Sequence, residues 1–326
     1  MKIRRILITG GAGYIGQHLV KRLSEWESNQ ITIVDPVESK IKNVIQWRGT
    51  IKEHKNNIVS GDFTDIFHLA SLSSVRCDNY HPMDHLIQNV GSTIDLLDAL
   101  QEGKGKPNVY FSSSCTVYGN NNQRGVVTEN TDVDPISTYG TSKLFCEELL
   151  ESAVGPIINK AINLRFFNVI GCDPEIGEPN GLEKGRLVPK LIRAAVKKEK
   201  FTFYGEPDSM SRDYIDVKFL AKVMSIVMFN VKYANSTYVI GSGDSHTTGQ
   251  MLTLTANAIG KPIGACICPP IEQEAEHVRS FPNLLKEHMN QWGYPFITIP
   301  TIQSVKDMYM YYQNRGFLDF EERQMD

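Results

Sequence analysis

The stretch TGGAGYIG, residues 9–16, holds four glycines in eight residues directly after the apolar run ILI. Each glycine costs roughly 0.5–1 kcal/mol of backbone entropy relative to alanine. Four of them at the junction of a strand and a helix imply that the backbone itself must be approached closely. An acid, Asp35, follows at the end of the next apolar run, QITIVD. Strand, glycine loop, helix and trailing carboxylate form a dinucleotide-binding arrangement. The glycines admit a pyrophosphate, the helix N-terminus bears its charge, and the carboxylate accepts ribose hydroxyls. Gly10, Gly13, Tyr14, Ile15 and Gly16 are the expected loop contacts. The Asp35 charge would repel the 2′-phosphate of NADP, so NAD is the expected cofactor.

Outward from this loop, the apolar runs RRILITG, QITIVDP, DIFHLAS, NVYFSSS and AINLRFFNV alternate with the helical patterns MDHLIQNVGSTIDLLDAL and TYGTSKLFCEELLESA. That rhythm predicts an α/β fold, a doubly wound parallel sheet of Rossmann type with helices on both faces. The rhythm fails near residue 175, where CDPEIGEPNGLEKG is rich in turn formers. We expect residues 1–175 to form the NAD-binding domain, with 213–242 returning to it, and 176–326 to form a smaller mixed α/β substrate lobe.

The 326 residues carry a net charge of −3 and show no basic patch, which argues against a nucleic-acid partner and for a small molecule. Six scattered cysteines form no Cys-x-x-Cys pair, so neither a zinc site nor a disulfide framework is expected, and a reducing cytoplasm is the expected setting. The basic start and short apolar run break into glycines too early for a signal peptide. No apolar stretch approaches the roughly 18 residues that cross a bilayer, so no membrane association is expected.

Two further stretches bear chemistry: FSSSCTVYG (111–119) and DPISTYGTSK (134–143). Tyr139 and Lys143 stand four apart, which places them on one face of a helix. A phenol is a poor base at neutral pH, but an ammonium beside it favours the phenolate, and Ser114 is positioned to orient a substrate oxygen. Taken with TGGAGYIG, RFFNVIG and SRDYIDV, these motifs make the chain resemble the extended short-chain dehydrogenase/reductases across nearly its whole length. Within them it is similar to the NAD-dependent nucleotide-sugar epimerases of UDP-glucose 4-epimerase type. The resemblance implies that Tyr139 is the catalytic base, Lys143 binds the nicotinamide ribose, and Ser114 hydrogen-bonds the reacting oxygen. It further implies that Asn168 and Arg212 meet the sugar-nucleotide phosphates, Leu187 and Tyr204 hold the base, and Leu69 and Ala70 line the cofactor.

Departures from the family carry information too. Dehydratase relatives have an Asp-Glu pair after the serine or threonine position, where this chain has Cys115 and Thr116, so water elimination is not expected. Relatives that also epimerise C3 and C5 have a cysteine in the Thr116 slot. Relatives end their third strand in Gly-Asp, the Asp reading adenine. SGDFTD (60–65) invites that match but abuts the next strand, and a parallel crossover needs about a dozen residues. NVIQWRGTIKE (43–53) is therefore the expected third strand, with Gly49-Thr50 as the equivalent pair and Ile51 beside it. Gln273 stands where a phosphate-binding arginine is expected, and Arg186 or Arg279 is the candidate replacement. Aligning VRSFPN (278–283) with the family's sugar pocket puts small Ser280 at its gate, leaving room for N-acetylated hexoses; a register slip by one would put Phe281 there instead and close the pocket.

The implied reaction is inversion at C4 of a nucleotide-diphosphate sugar, with a UDP-sugar favoured, through a transient 4-keto intermediate. The rivals are a nucleotide-sugar reductase, a UDP-glucuronate decarboxylase, an amino-acid dehydrogenase, and a non-catalytic NAD-binding regulator. The helical patterns near 83–100 and 138–152 suit a homodimer, as in family members, and equally suit packing on the chain's own sheet.

Overall fold

The computed structural model describes residues 3–72, 82–119, 126–176, 186–269 and 277–317. Seven parallel strands form the large sheet: β1 (Arg4–Thr9), β2 (Asn29–Asp35), β3 (Ile45–Arg48), β4 (Asp65–His68), β5 (Asn108–Ser114), β6 (Lys160–Phe166) and β7 (Asn235–Ile240). Their spatial order is β7-β6-β5-β4-β1-β2-β3. The third strand falls at Ile45–Arg48, paired with Thr32–Asp35, while residues 61–64 merely lead into β4. Crossover length thus located it correctly.

Alternation within each strand divides the core. Ile6 and Ile8 face a layer with Leu19, Phe67, Met224 and Val227, where the helices Tyr14–Leu23 and Val217–Asn230 pack together. Leu7, between them, faces Leu96, Phe111, Cys146 and Leu150, under the helices Gly91–Glu102 and Thr138–Ser152. The sheet is therefore buried on both faces, which is why its strands read as continuous apolar runs. The run at 83–100 is not one regular helix: Leu86–Val90 is a single π-helical turn between Pro82–His85 and Gly91–Glu102.

The chain leaves the large sheet at Phe167, and Asn168–Ile170 then pairs with Ser211–Asp216 in a second, mixed sheet. That sheet also holds Ser245–Thr247, His277–Ser280 and Val126–Val127. A third pair joins Lys200–Tyr204 to Gly264–Cys268. The helices Leu187–Lys197, Thr248–Ile259 and Thr301–Asn314 close a separate core around Leu191, Met251, Val305 and Met308. Among the described residues, no helix is long and apolar enough to cross a membrane.

Candidate active site

Strand order reverses between β1 and β4, so the chain leaves their carboxyl ends in opposite directions and opens a crevice there. Gly10, the first residue beyond β1, has φ of +72°, and a Cβ on it would lie 2.7 Å from the Ala70 nitrogen. A Cβ on Gly16 would lie 2.3 Å from the Gly10 carbonyl oxygen. Glycine alone lets the loop rest on the end of β4 and the helix rest on the loop. That helix begins after Gly13 with no side-chain cap, so an anion is a suitable partner for the amides of its first turn. Leu69 and Ala70 form the opposite lip, their amides donating to Thr9 O (3.0 Å) and Thr9 Oγ1 (3.3 Å).

Asp35 is buried, and its carboxylate accepts from Ala12 N (3.0 Å) and Val37 N (2.8 Å). Burial pushes its pKa up, against the pull of those two amides. At the end of β3, Thr50 donates from N (2.7 Å) and Oγ1 (2.9 Å) to Glu53 Oε2. A carboxylate thus stands beside the Gly49-Thr50 pair, supplied three residues later. Ile51 is only 4% exposed and packs with Val34, Ile58 and Phe63, so it belongs to the core rather than to the expected cofactor surface.

Beneath the crevice runs a buried chain of polar contacts. Thr93 donates to Asn89 O (3.0 Å) in the π-turn, so His68 Nε2, 3.1 Å from Thr93 Oγ1, carries its proton, and His68 Nδ1 accepts from Thr9 Oγ1 (2.8 Å). Burial drives the His68 pKa down to about 3, keeping the ring neutral. The Asn89 amide in turn accepts from Leu72 N (2.7 Å) and donates to Ser142 Oγ (3.0 Å), whose hydroxyl donates to Tyr139 O (2.8 Å). The π-turn, a common device at functional sites, thereby ties the β4 lip to the helix bearing Tyr139.

Ser114 ends β5 and Tyr139 opens the facing helix, with the Ser114 hydroxyl near enough to pull the phenol's pKa down. Ser114 Oγ also accepts from Thr116 N (3.2 Å) and Thr116 Oγ1 (3.0 Å). Lys143, 2% exposed, donates to Ser112 O (2.7 Å) and lies 4.8 Å over the Phe111 ring and 5.8 Å from the Tyr139 ring centroid. Serine, tyrosine and lysine are brought together as the spacing implies. Their titration differs from the sequence-based expectation: burial pushes Tyr139 up to about 12, despite the Ser114 hydrogen bond and the nearby Arg186 charge, and lowers Lys143 to about 8. Removal from water is the largest cause of both shifts. Cys115 is pushed up to about 11 by the same cause, so its thiol stays protonated.

From the second lobe, Asn168 Nδ2 donates to Asp213 O (3.2 Å), and the Arg212 charge is felt at Cys115, beside Ser114. Arg186 precedes the helix Leu187–Lys197 and stacks 5.0 Å over the Tyr14 ring. Leu187 is partly buried in the second core, while Tyr204 stands 46% exposed on the separate two-stranded sheet. Arg279 is exposed and donates to Gly243 O (2.8 Å). Gln273 lies outside the described residues. Ser280 does not act as a pocket gate here: it is 0% exposed, and its hydroxyl donates to the Asp213 carboxylate. The same carboxylate accepts from Ser242 N, Ser242 Oγ and Gly243 N, which packs Ser280 against Gly241.

The sequence pattern of the NAD dependent epimerase/dehydratase family matches residues 6–241. The chain belongs to this family. It is 30% identical over 292 residues to the UDP-glucose 4-epimerase of Yersinia pestis, covering 81% of this chain and 85% of that protein. It is 29% identical over 278 residues to the UDP-glucose 4-epimerase of Corynebacterium glutamicum, covering 81% and 83%. Among solved structures, the UDP-glucose 4-epimerase from Bifidobacterium longum in complex with NAD+ and UDP superposes with a TM-score of 0.84 at 25% identity, over 97% of this chain and all of that one.

For a member of the NAD-dependent epimerase/dehydratase family, the glycine loop fits NAD physically: the cradle at Gly10 is one a Cβ would fill, and the helix start lacks a side-chain cap. Four residues of this neighbourhood escaped sequence reasoning. Glu53 and Asn89 read as ordinary surface and helix positions. His68 carried a faint signal, a histidine inside the apolar strand DIFHLA. His18 sits four residues after Tyr14, on the same helix face.

Proposed function

We propose that the protein is an NAD-dependent epimerase of a nucleotide-diphosphate sugar, most plainly a UDP-sugar, inverting C4 through a 4-keto intermediate. The observation that carries this reading is the grouping of Ser114, Tyr139 and Lys143 at the end of β5, with the Lys143 ammonium 5.8 Å from the Tyr139 ring centroid. The names of the relatives point the same way. In this reading residues 1–175 carry the cofactor and 176–326 the nucleotide sugar.

Gly10, Gly13, Tyr14, Ile15 and Gly16 would hold the NAD pyrophosphate, Asp35 its ribose, and Glu53 with Thr50 the far end of the crevice. When bound, NAD would supply the acceptor and donor of the C4 hydride and a positive charge that favours the tyrosine phenolate. Ser114 orients the C4 oxygen, and Tyr139 Oη takes its proton in the oxidising half and gives it back in the reducing half. Lys143, held by Ser112 O, aims its ammonium at the same region. Arg212, Asn168 and Arg186 bind the diphosphate, whose linkage lets the keto sugar turn over. A tuned acid–base group of this kind contributes about 10²–10⁴-fold.

The test is incubation of the purified protein with UDP-, GDP- and dTDP-sugars, followed by separation of epimers. New C4 epimers without net NADH support the reading. Stoichiometric NADH from one sugar nucleotide would replace it with a dehydrogenase, and bound NAD with no turnover would replace it with a regulator. A homodimer is part of the proposal: Ile87 (67% exposed), Ile94 (50%) and Phe145 (52%) present an apolar face on the helices that flank Tyr139, and a second copy would cover it. Light scattering after size exclusion tests this, a monomeric mass refuting it.

A further inference from the structure

One face of the helix Tyr14–Leu23 reaches out of the large-sheet lobe. Tyr14, 9% exposed, donates its hydroxyl to Gly171 O at 2.5 Å. His18, one turn on and 4% exposed, has Nε2 2.9 Å from Asp173 N and Nδ1 2.8 Å from Tyr14 O. An amide nitrogen only donates, so Nε2 offers its lone pair and Nδ1 carries the proton to the Tyr14 carbonyl. Burial lowers the pKa of this imidazole, in keeping with a neutral ring. Arg186 lies on the face of the Tyr14 ring.

Gly171, Asp173 and Arg186 flank residues 177–185 on both sides, and all three are tied to two side chains of the cofactor-loop helix. Lys21 reaches the same segment, at 2.8 Å from Asp173 and 2.7 Å from Glu175, but is 40% exposed. Exposed pairs of that kind hold weakly, whereas the His18 imidazole, 4% exposed, makes its bond to Asp173 N from inside the core. The imidazole is thus the stronger tether.

We infer that His18, with Tyr14, is a positioning residue for nucleotide-sugar binding: by accepting from Asp173 N it sets the stretch from Asn168 to Asp173 relative to the cofactor loop, while the Tyr14 ring seats Arg186. This rests on the proposed nucleotide-sugar reading.

The experiment uses the full chain with His18→Leu and His18→Gln, the latter having an amide oxygen that reaches the Nε2 position. NAD content, thermal midpoint, calorimetric affinity for UDP, and KM and kcat for the sugar nucleotide turned over are measured. His18→Leu should raise KM and the UDP Kd by about ten- to thirtyfold, the effect of stranding a part-buried donor. It should keep its NAD and hold kcat within about threefold, while His18→Gln restores KM and Kd to within about threefold of wild type. Unchanged KM and Kd in a folded His18→Leu, or equal deficits in both variants, overturn the inference and leave His18 a purely structural part. If His18→Leu does not fold, Tyr14→Phe, which removes only the hydroxyl donated to Gly171 O, supplies the same readout: raised UDP Kd supports the inference, unchanged Kd overturns it. Wild type that binds UDP but epimerises nothing refutes the functional reading alone, and wild type that does not bind UDP refutes both.

Discussion

Replacing Glu147 by leucine removes one half of the ion pair that fastens the helix of Tyr139 and Lys143 to the sheet. Glu147 is 2% exposed and Arg165 on β6 is 8% exposed. The guanidinium donates twice to the carboxylate, from Nε at 3.0 Å and from Nη2 at 2.7 Å, and its other side lies 4.8 Å from the Tyr118 ring centroid. Leucine fills similar space but leaves that cation buried. Glu151, a carboxylate that also feels the Arg165 charge, is already engaged by Asn163 at 2.6 Å. Breaking one side of such a pair costs about 3–5 kcal/mol. Unfolding entropy of about 2.1 cal/mol/K per residue over 326 residues makes each kcal/mol worth about 1.5 °C, so the thermal midpoint should fall by about 4–7 °C. The double variant Glu147→Leu/Arg165→Met should recover most of that loss, because neither charge then has to leave water. Calorimetry on NAD-loaded proteins at one scan rate is the assay. A fall under about 2 °C, or a double variant no better than the single, refutes the reasoning.

Tyr139→Phe should fold, keep its NAD and lose at least about 100-fold in kcat; near wild-type turnover would remove Tyr139 from the chemistry. In cofactor-free protein, Lys143 loses its proton near 8 while the unfolded chain holds it to about 10.5, so the fold gains stability with rising pH across that window. Relative to Lys143→Met the gain should approach about 3 kcal/mol in urea titrations, and a gap that stays flat contradicts the assignment. Asp35→Ala should weaken NAD and relax discrimination against NADP, whereas Glu53→Ala should weaken NAD without changing that preference; fluorescence titration with both cofactors separates the two. Ser280→Tyr forces a ring against Gly241 and Asp213, costing about 1–3 kcal/mol and lowering the thermal midpoint. It should act alike on plain and N-acetylated hexose nucleotides, so selective loss of the latter would restore Ser280 as the gate.

The glycine loop, Asp35 and the Tyr139–Lys143 pair were legible because each depends on neighbours within a few residues or on a strand-to-helix junction. The third strand was legible from chain length alone, since a crossover cannot be made shorter. Ser280 was not, because its surroundings come from Asp213 and the 241–243 turn, which only tertiary pairing brings to it. Ile51 read as cofactor surface from its place after a strand, but α-carbon position does not say which way a side chain points. The π-turn at Leu86–Val90 hides in a run whose apolar spacing suits an ordinary helix. The direction of the Tyr139 shift was missed for an energetic reason. Sequence shows the lysine that lowers a phenol's pKa, but not the burial that raises it more.

The relay Thr9–His68–Thr93–Asn89 has a fixed direction of donation, and this bears on how such loops can be exchanged between proteins. Each hydroxyl gives its one proton to the next group, and the neutral imidazole passes the sense along, so the three side chains and the π-turn carbonyl form a single unit of inheritance. A loop transplanted with valine at position 9 would deprive His68 Nδ1 of its donor at a fully buried ring. Chimeras at this junction should therefore succeed when positions 9, 68 and 93 travel together and fail when they are split, even though the first two are 59 positions apart in the chain and the strands themselves would pair equally well.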